Sequence, residues 1–134
     1  MNVKDNKDLK LLHIALSISH QEDINDFYKE VLGMEEFRSF KIKESHAGRI
    51  FGIKKEVPVI QLKSGKLMLE LFITKDAVKH AFDHTCVSVN DREAMVEKAI
   101  RKNYEVIRIE REDFDLVFVR DKSGNIFEVK EGVL

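Results

Sequence analysis

A seven-residue pattern that occurs twice constrains the fold of this chain more than any other feature. Residues 13–19 (HIALSIS) recur in altered form as residues 84–90 (HTCVSVN). In both copies apolar residues alternate with small or polar ones, a period of two that is typical of a β-strand with one buried face. The pattern therefore predicts two related strands, each of which begins with a histidine, His13 or His84, on its open face.

The segments that follow the two copies are also alike. A helix is predicted at 21–34 and again at 91–103, from apolar residues at helical spacing. Residues 44–55 fit no single pattern. Further strands are predicted at 36–43, 57–63 and 67–73 after the first helix, and at 104–110, 115–121 and 125–131 after the second.

This order of elements predicts an α+β fold built from two tandem βαβββ modules. Module one spans about 11–73 and module two about 84–131, within a single domain of residues 1–134. We expect the strands to form a curved mixed sheet around a central cleft. An apolar fraction of 43% is sufficient for the core of one domain of this length.

Composition restricts the compartment and the partners. Cys86 is the only cysteine, so no disulfide can form within the chain. No apolar leader and no apolar run of about 20 residues are present, and we therefore expect a cytoplasmic protein with no membrane span. With 23 basic and 24 acidic residues the net charge is −1, which gives no electrostatic reason to expect a nucleic acid partner.

Each module also places one glutamate in the middle of its last strand. Glu70 and Glu128 have apolar neighbours, and an unpaired carboxylate in such surroundings costs several kcal/mol. Each therefore needs a cation, a hydrogen-bond donor or a proton. Together with His13 and His84 they provide two imidazoles and two carboxylates around the pseudo-dyad. This set predicts a divalent metal site with room for water or a small-molecule substrate.

Several short sequence motifs resemble those of a known family. They are residues 13–16 (HIAL), 26–34 (DFYKEVLGM), 68–71 (MLEL), 84–87 (HTCV) and 121–128 (DKSGNIFE). Over about residues 11–131 the chain resembles the vicinal oxygen chelate superfamily, which contains glyoxalases, bleomycin resistance proteins and dioxygenases. Within it the nearest relative looks like glyoxalase I, the lactoylglutathione lyase.

The resemblance implies a function and its residues. The metal would be held by His13, Glu70, His84 and Glu128, with nickel or cobalt favoured and zinc or manganese also expected to bind. The substrate would be an α-hydroxy carbonyl compound such as a hemithioacetal, converted through an enediolate. Glu128, or Glu70 on the opposite side, would be the general base. Because members of this family usually form dimers, the resemblance also implies a homodimer.

The same resemblance leaves the substrate and the reaction open. Ser17 and Thr74 stand where glyoxalase I has an arginine and an asparagine that bind glutathione, so the substrate could carry a different thiol or none. The motifs would also suit an acyl-CoA epimerase, a dioxygenase, a thiol transferase of the fosfomycin-resistance kind, or a metal-free drug-binding protein. Glu70, as an additional ligand, favours proton transfer. Cys86 is interpreted as a packing residue and Arg38 as solvated surface.

Overall fold

Two modules with the same order of elements make up the chain. The computed structural model describes residues 11–76 and 79–132, so residues 1–10, 77–78 and 133–134 of the predicted domain lie outside the described part. Module one contains β1 (Ile14–Ile18), α1 (Ile24–Val31), β2 (Glu35–Ile42), α2 (Glu44–Phe51), β3 (Val57–Ser64) and β4 (Leu67–Ile73). Module two contains β5 (Thr85–Val89), α3 (Arg92–Arg101), β6 (Glu105–Ile109), β7 (Leu116–Arg120) and β8 (Ile126–Glu131). The predicted α+β fold of two βαβββ modules is confirmed.

Each module forms its own four-stranded mixed sheet. The strand order is β1-β4-β3-β2 in sheet one and β5-β8-β7-β6 in sheet two. In both sheets the first and last strands of the module are parallel neighbours, whereas the other pairs are antiparallel. The register places Ala15 beside Glu70 and Cys86 beside Glu128. The histidine strand and the glutamate strand of each module are therefore adjacent.

The apolar faces of the sheets pack on α1 and α3. Ile18, Leu69 and Leu71 of sheet one are fully buried, as is Phe127 of sheet two. The ring of Phe27, from α1, lies 5.7 Å from that of Phe127 between centroids. Burial of these side chains is the main favourable contribution to the fold, because it removes apolar area from water. The alternation in the two repeated strands thus predicted the buried faces correctly.

Helix α1 is shorter than the predicted 21–34 and is wound as a π-helix. Its end is closed by the Leu32 amide, which donates to the Phe27 carbonyl at 2.9 Å, and by the Met34 amide, which donates to the Tyr28 carbonyl at 2.9 Å. Gly33 follows with a φ of +70°, a left-handed conformation that favours glycine. Among the described residues, no helix has both the length and the apolar character to cross a membrane.

Buried carboxylates join the two modules. Asp23, at the start of α1, accepts hydrogen bonds from the Tyr104 hydroxyl at 2.9 Å and from the Ser123 amide at 3.1 Å. Asp121 accepts one from the Tyr28 hydroxyl at 2.7 Å. Hydrogen bonds to buried charged groups contribute about 1.5–3 kcal/mol each. The turn between β7 and β8 is consequently held against module one.

That turn has room only for glycine at one position. Gly124 has a φ of +95°, and a Cβ at this position would lie 2.8 Å from the His80 ring. The His80 Nε2 atom lies 3.1 Å from the Ser123 carbonyl oxygen, and the Asn125 amide donates to Asp121 at 2.7 Å. Because β8 begins immediately afterwards, this turn determines where Glu128 enters the sheet.

Candidate metal centre

The first half of the candidate site lies on the open face of sheet one. The His13 Nε2 atom is 3.1 Å from Glu70 Oε1, although the two residues are far apart in sequence. His13 precedes β1 and Glu70 is in the middle of β4, and the parallel pairing of these strands brings them together. The Glu70 side chain is 12% exposed and that of His13 is 46% exposed. The carboxylate is therefore nearly buried, whereas the imidazole borders open space.

Gln61 and Arg38 support Glu70 from behind. The Gln61 side-chain amide donates to Glu70 Oε2 at 2.6 Å, and the Arg38 guanidinium donates to the Gln61 amide oxygen at 3.1 Å. Gln61 itself is buried. Glu70 thus has the hydrogen-bond donor that a carboxylate in apolar surroundings needs. The sequence analysis did not predict a role for Gln61, and it interpreted Arg38 as solvated surface. The one feature of the sequence that could have indicated Gln61 is its place as a polar residue among the apolar residues of β3.

The second half lies on sheet two at the equivalent positions. The His84 Nε2 atom is 3.4 Å from Glu128 Oε1, and the His84 side chain is 43% exposed. The His84 Nδ1 atom lies 2.9 Å from the Phe82 carbonyl oxygen. Because a carbonyl oxygen can only accept, Nδ1 carries the hydrogen and donates. In neutral His84 the Nε2 lone pair therefore points toward the carboxylate, which is the tautomer that a metal ligand needs.

Support for the second glutamate differs from that for the first. Glu70 is paired with Gln61 on the neighbouring strand, whereas Glu128 is paired with Phe118, which has no group that can donate a hydrogen bond to it. The cation beside it is Lys130, whose Nζ atom is 3.8 Å from Glu128 Oε2. Cys86 lies beside Glu128 and is exposed rather than packed. Desolvation, followed by the Glu128 charge, raises the pKa of the Cys86 thiol.

The two His–Glu pairs do not meet within the chain. His13 and Glu70 belong to sheet one, whereas His84 and Glu128 belong to sheet two. In residues 11–76 and 79–132 no three His, Cys, Asp or Glu side chains lie close enough together to hold one metal ion. The chain thus brings the four predicted ligands together as two pairs.

Each pair nevertheless has the chemistry of half a metal site. In both, an imidazole Nε2 atom faces a carboxylate oxygen at hydrogen-bond distance or slightly beyond. Imidazole and carboxylate ligands suit zinc, nickel, cobalt and manganese. The groups behind the ligands, Gln61 and the Phe82 carbonyl, are of the kind that orient metal ligands. The residues present therefore fit a divalent metal.

A cleft of about 1020 Å³ is lined by Ala15, the strand neighbour of Glu70, and so lies beside the first pair. It lies between the open face of sheet one, which contributes Ala15 and Phe72, and the C-terminal end of α2, where Phe51 and, just beyond the helix, Ile53 line it. The rings of Phe51 and Phe72 meet edge to face with centroids 5.4 Å apart. No sequence pattern assigned the segment that contains α2, and the structure shows it as a helix that ends at Gly52 with a φ of +72°.

The fold and the sequence both have known counterparts. The glyoxalase family protein from Bacillus cereus is 17% identical, with a TM-score of 0.75, and the match covers 97% of this chain and 98% of that one. The corresponding protein from Enterococcus faecalis is 22% identical, with a TM-score of 0.66, covering 90% and 96%. The fosfomycin resistance protein FosX from Listeria monocytogenes is 14% identical, with a TM-score of 0.70, covering 93% and 94%. These likenesses show the fold.

Sequence profiles give the family. No curated protein matches this chain. The profile of the Glyoxalase/Bleomycin resistance protein/Dioxygenase superfamily matches residues 10–129, which is most of the chain. A variant of Listeria FosX has been solved with Mn(II) and 1S,2S-dihydroxypropylphosphonic acid, so divalent metal and small-molecule binding occur on this fold. The chain belongs to the glyoxalase/bleomycin resistance protein/dioxygenase superfamily.

Proposed function

We propose that this chain is a metal-dependent lyase or isomerase of the glyoxalase I type, which moves a proton between adjacent carbon atoms of an α-hydroxy carbonyl substrate. The observation that supports the proposal most directly is a matched pair of half-sites: half-site one consists of His13 and Glu70, and half-site two consists of His84 and Glu128. His13 faces Glu70 at 3.1 Å, and His84 faces Glu128 at 3.4 Å, at equivalent places in two modules. A divalent metal, when bound, supplies Lewis-acid polarisation of the substrate oxygens.

The complete site would form between two copies of the chain. Each half-site has two ligands, and its histidine is almost half exposed, so a second molecule can approach it. In a two-fold symmetric dimer, half-site one of each copy faces half-site two of the other, which gives two identical four-ligand sites. We therefore expect a homodimer, as the family resemblance also implies.

The two glutamates would have different roles. Glu70 is contacted on both oxygens, by His13 and by Gln61, and is nearly buried, which suits a fixed ligand. Glu128 is also contacted on both oxygens, but at longer distances, 3.4 Å from His84 and 3.8 Å from Lys130. A less restrained carboxylate can reach a substrate carbon and accept its proton. We therefore assign the proton transfer to Glu128 in addition to its place among the four ligands, and only metal binding to the two histidines and Glu70.

Heterodimers of two defective variants test both the metal and its location. His13→Ala and His84→Ala each destroy one ligand in both sites of a homodimer. Co-expression with two different affinity tags yields heterodimers in which one site lacks both histidines and the other is intact. We expect these heterodimers to bind about half as much Co(II) as the wild-type dimer, and each variant homodimer to bind little.

Two results would contradict the proposal. If both variant homodimers bind Co(II), Ni(II), Zn(II) and Mn(II) as tightly as the wild type, the four residues are not the ligands. If the heterodimer binds no more than the homodimers, the site is not shared between chains. Restored proton exchange in D₂O, followed by NMR on a hemithioacetal substrate, would link the restored metal to activity.

One observation favours a second candidate, a metal-free protein that binds a drug-like molecule. The cleft of about 1020 Å³ beside half-site one is large enough for such a ligand without any metal. The same titrations separate the two candidates. A purified protein that takes up less than about a tenth of an equivalent of any of the four metals supports the binding protein and not the enzyme.

A further inference from the structure

The two modules differ at one connection. In module one, β2 and β3 are joined by residues 43–56, which include α2, whereas in module two β6 and β7 are joined by the short segment 110–115. Helix α2 lies against the open face of sheet one, and its Ala47 is fully buried. The helix therefore covers a face that the corresponding connection in module two leaves uncovered. In this way the half-site of His13 and Glu70 acquires an adjoining cleft.

The cleft lies next to the pair of His13 and Glu70 along the same two strands, although neither of these residues lines it. Ala15, on its floor, is the strand neighbour of Glu70, and Phe72 follows Glu70 by two residues on the same face. Beyond them the cleft reaches Ser17, near the end of β1, and Thr74, directly after β4. A molecule held by its oxygens near Glu70 would thus place the rest of its body over Ala15 and Phe72.

The walls of the cleft are apolar and partly exposed. Phe51 and Ile53 are 50% and 52% exposed, although both are large apolar residues. Such side chains gain most when another apolar group covers them, because the free energy of transfer follows the apolar area removed from water. Together with the edge-to-face contact between Phe51 and Phe72, they form a surface suited to an aryl or alkyl group.

The charges around the cleft do not suit a glutathionyl group. Glutathione carries two carboxylates and an ammonium, which need fixed partners when they leave water. The polar side chains on the floor, Ser17 and Thr74, offer hydroxyls only. Within residues 11–76 and 79–132, the charged residues that line the cleft are all exposed: Lys55, Glu56, Lys75, Asp76 and Lys79. Lys55 is also paired with Asp76 at 3.2 Å.

We propose that this cleft binds the apolar body of the substrate, an uncharged aryl or alkyl group attached directly to the oxygen-bearing carbons, in place of a glutathione peptide. The inference rests on the proposed function for the head of the substrate, which would bind at the metal. The body is recognised by Phe51, Ile53 and Phe72 of one chain.

A direct test of the cleft uses the metal-free protein. N-phenyl-1-naphthylamine is an uncharged apolar dye whose fluorescence rises when it leaves water. We expect it to bind, and Ile53→Ser to weaken this binding by at least about fivefold through loss of apolar contact. Ile100→Ser is the matched control, since Ile100 is 58% exposed on α3, outside the cleft. Absence of binding, or equal weakening by both variants, would overturn the inference whether or not a metal binds.

A second test compares the affinities of three ligands for the metal-loaded dimer in order to identify the substrate class. Lactate, 3-phenyllactate and S-lactoylglutathione share a 2-hydroxyacyl group; the second carries a phenyl group on its C3 carbon, and the third carries glutathione as a thioester on its carbonyl carbon. We expect 3-phenyllactate to bind at least about tenfold more tightly than lactate, and Ile53→Ser to reduce this ratio. Co(II) binding by Ile53→Ser should remain normal. Normal metal binding with no preference for the phenyl group, or with S-lactoylglutathione bound most tightly, would refute the cleft while leaving the proposed function intact.

Discussion

Replacing Gln61 by leucine would remove the hydrogen bond that holds Glu70 in place. Gln61 is buried, and its amide nitrogen lies 2.6 Å from Glu70 Oε2. Leucine has a similar size but cannot donate, so the change removes the contact without leaving a large cavity. The Arg38 guanidinium, 3.1 Å from the Gln61 oxygen, would lose its acceptor at the same time.

The size of the effect follows from the charge of the acceptor. A hydrogen bond to a charged group contributes about 1.5–3 kcal/mol. Loss of a group that orients a metal ligand typically weakens metal binding by about 10- to 100-fold, which corresponds to about 1.4–2.7 kcal/mol. We therefore expect Gln61→Leu to weaken Co(II) binding by at least about tenfold. Arg38→Met, which only frees Gln61 to rotate, should have a smaller effect.

The assay is a Co(II) titration followed by absorption spectroscopy, with Phe118→Leu as the control. Phe118 pairs with Glu128 as Gln61 pairs with Glu70, but it donates no hydrogen bond, so its replacement should change the affinity by less than about threefold. Circular dichroism would verify that all three variants are folded. Wild-type affinity in Gln61→Leu would refute the reasoning, because Glu70 would then need no support.

Three further predictions concern catalysis and stability. Glu128→Gln should lower the rate of proton exchange in D₂O by about 10²- to 10⁴-fold with the fold retained, and an unchanged rate would exclude Glu128 as the base. Tyr28→Phe should destabilise the protein by about 1.5–3 kcal/mol in urea unfolding, because the Tyr28 hydroxyl donates to the buried Asp121 carboxylate at 2.7 Å; equal midpoints would contradict this. Burial raises the pKa of Asp121 above its ordinary value of 3.8, so the folded state binds this proton more tightly than the unfolded state. Its contribution to stability should therefore fall as the pH rises from about 3.8 through the raised pKa, and Asp121→Asn should lack this fall in urea unfolding at a series of pH values.

Much of the fold could be predicted because its signals are local. Alternation identified the buried faces of β1 and β5, and the spacing of apolar residues identified α1 and α3. The segment that became α2 could not be assigned from the sequence. Its eight residues include Gly48 and only a short apolar stripe, and its position depends on packing against sheet one. Likewise, nothing local indicates that α1 should be wound as a π-helix.

The candidate site divides in the same way. The repeat identified the four candidate ligands, since equivalent strands of the two modules carry the same residue types. Parallel pairing of β1 with β4 and of β5 with β8 then brought His13 to Glu70 and His84 to Glu128. Gln61 and Arg38 were not found, because their role depends on which residues face each other across three strands. That register is a property of the assembled sheet.

By itself the sequence determined the two modules and the family and identified four candidate metal ligands, because periodicity and residue chemistry can be read along the chain. The tertiary structure decided how those residues are grouped. It placed the predicted ligands as two separate pairs, supported Glu70 but not Glu128 with a glutamine, and packed α2 over the open face of sheet one to form an apolar cleft beside the first pair. Each of these results depends on contacts between segments distant in sequence, which only the packing of sheets and helices can establish.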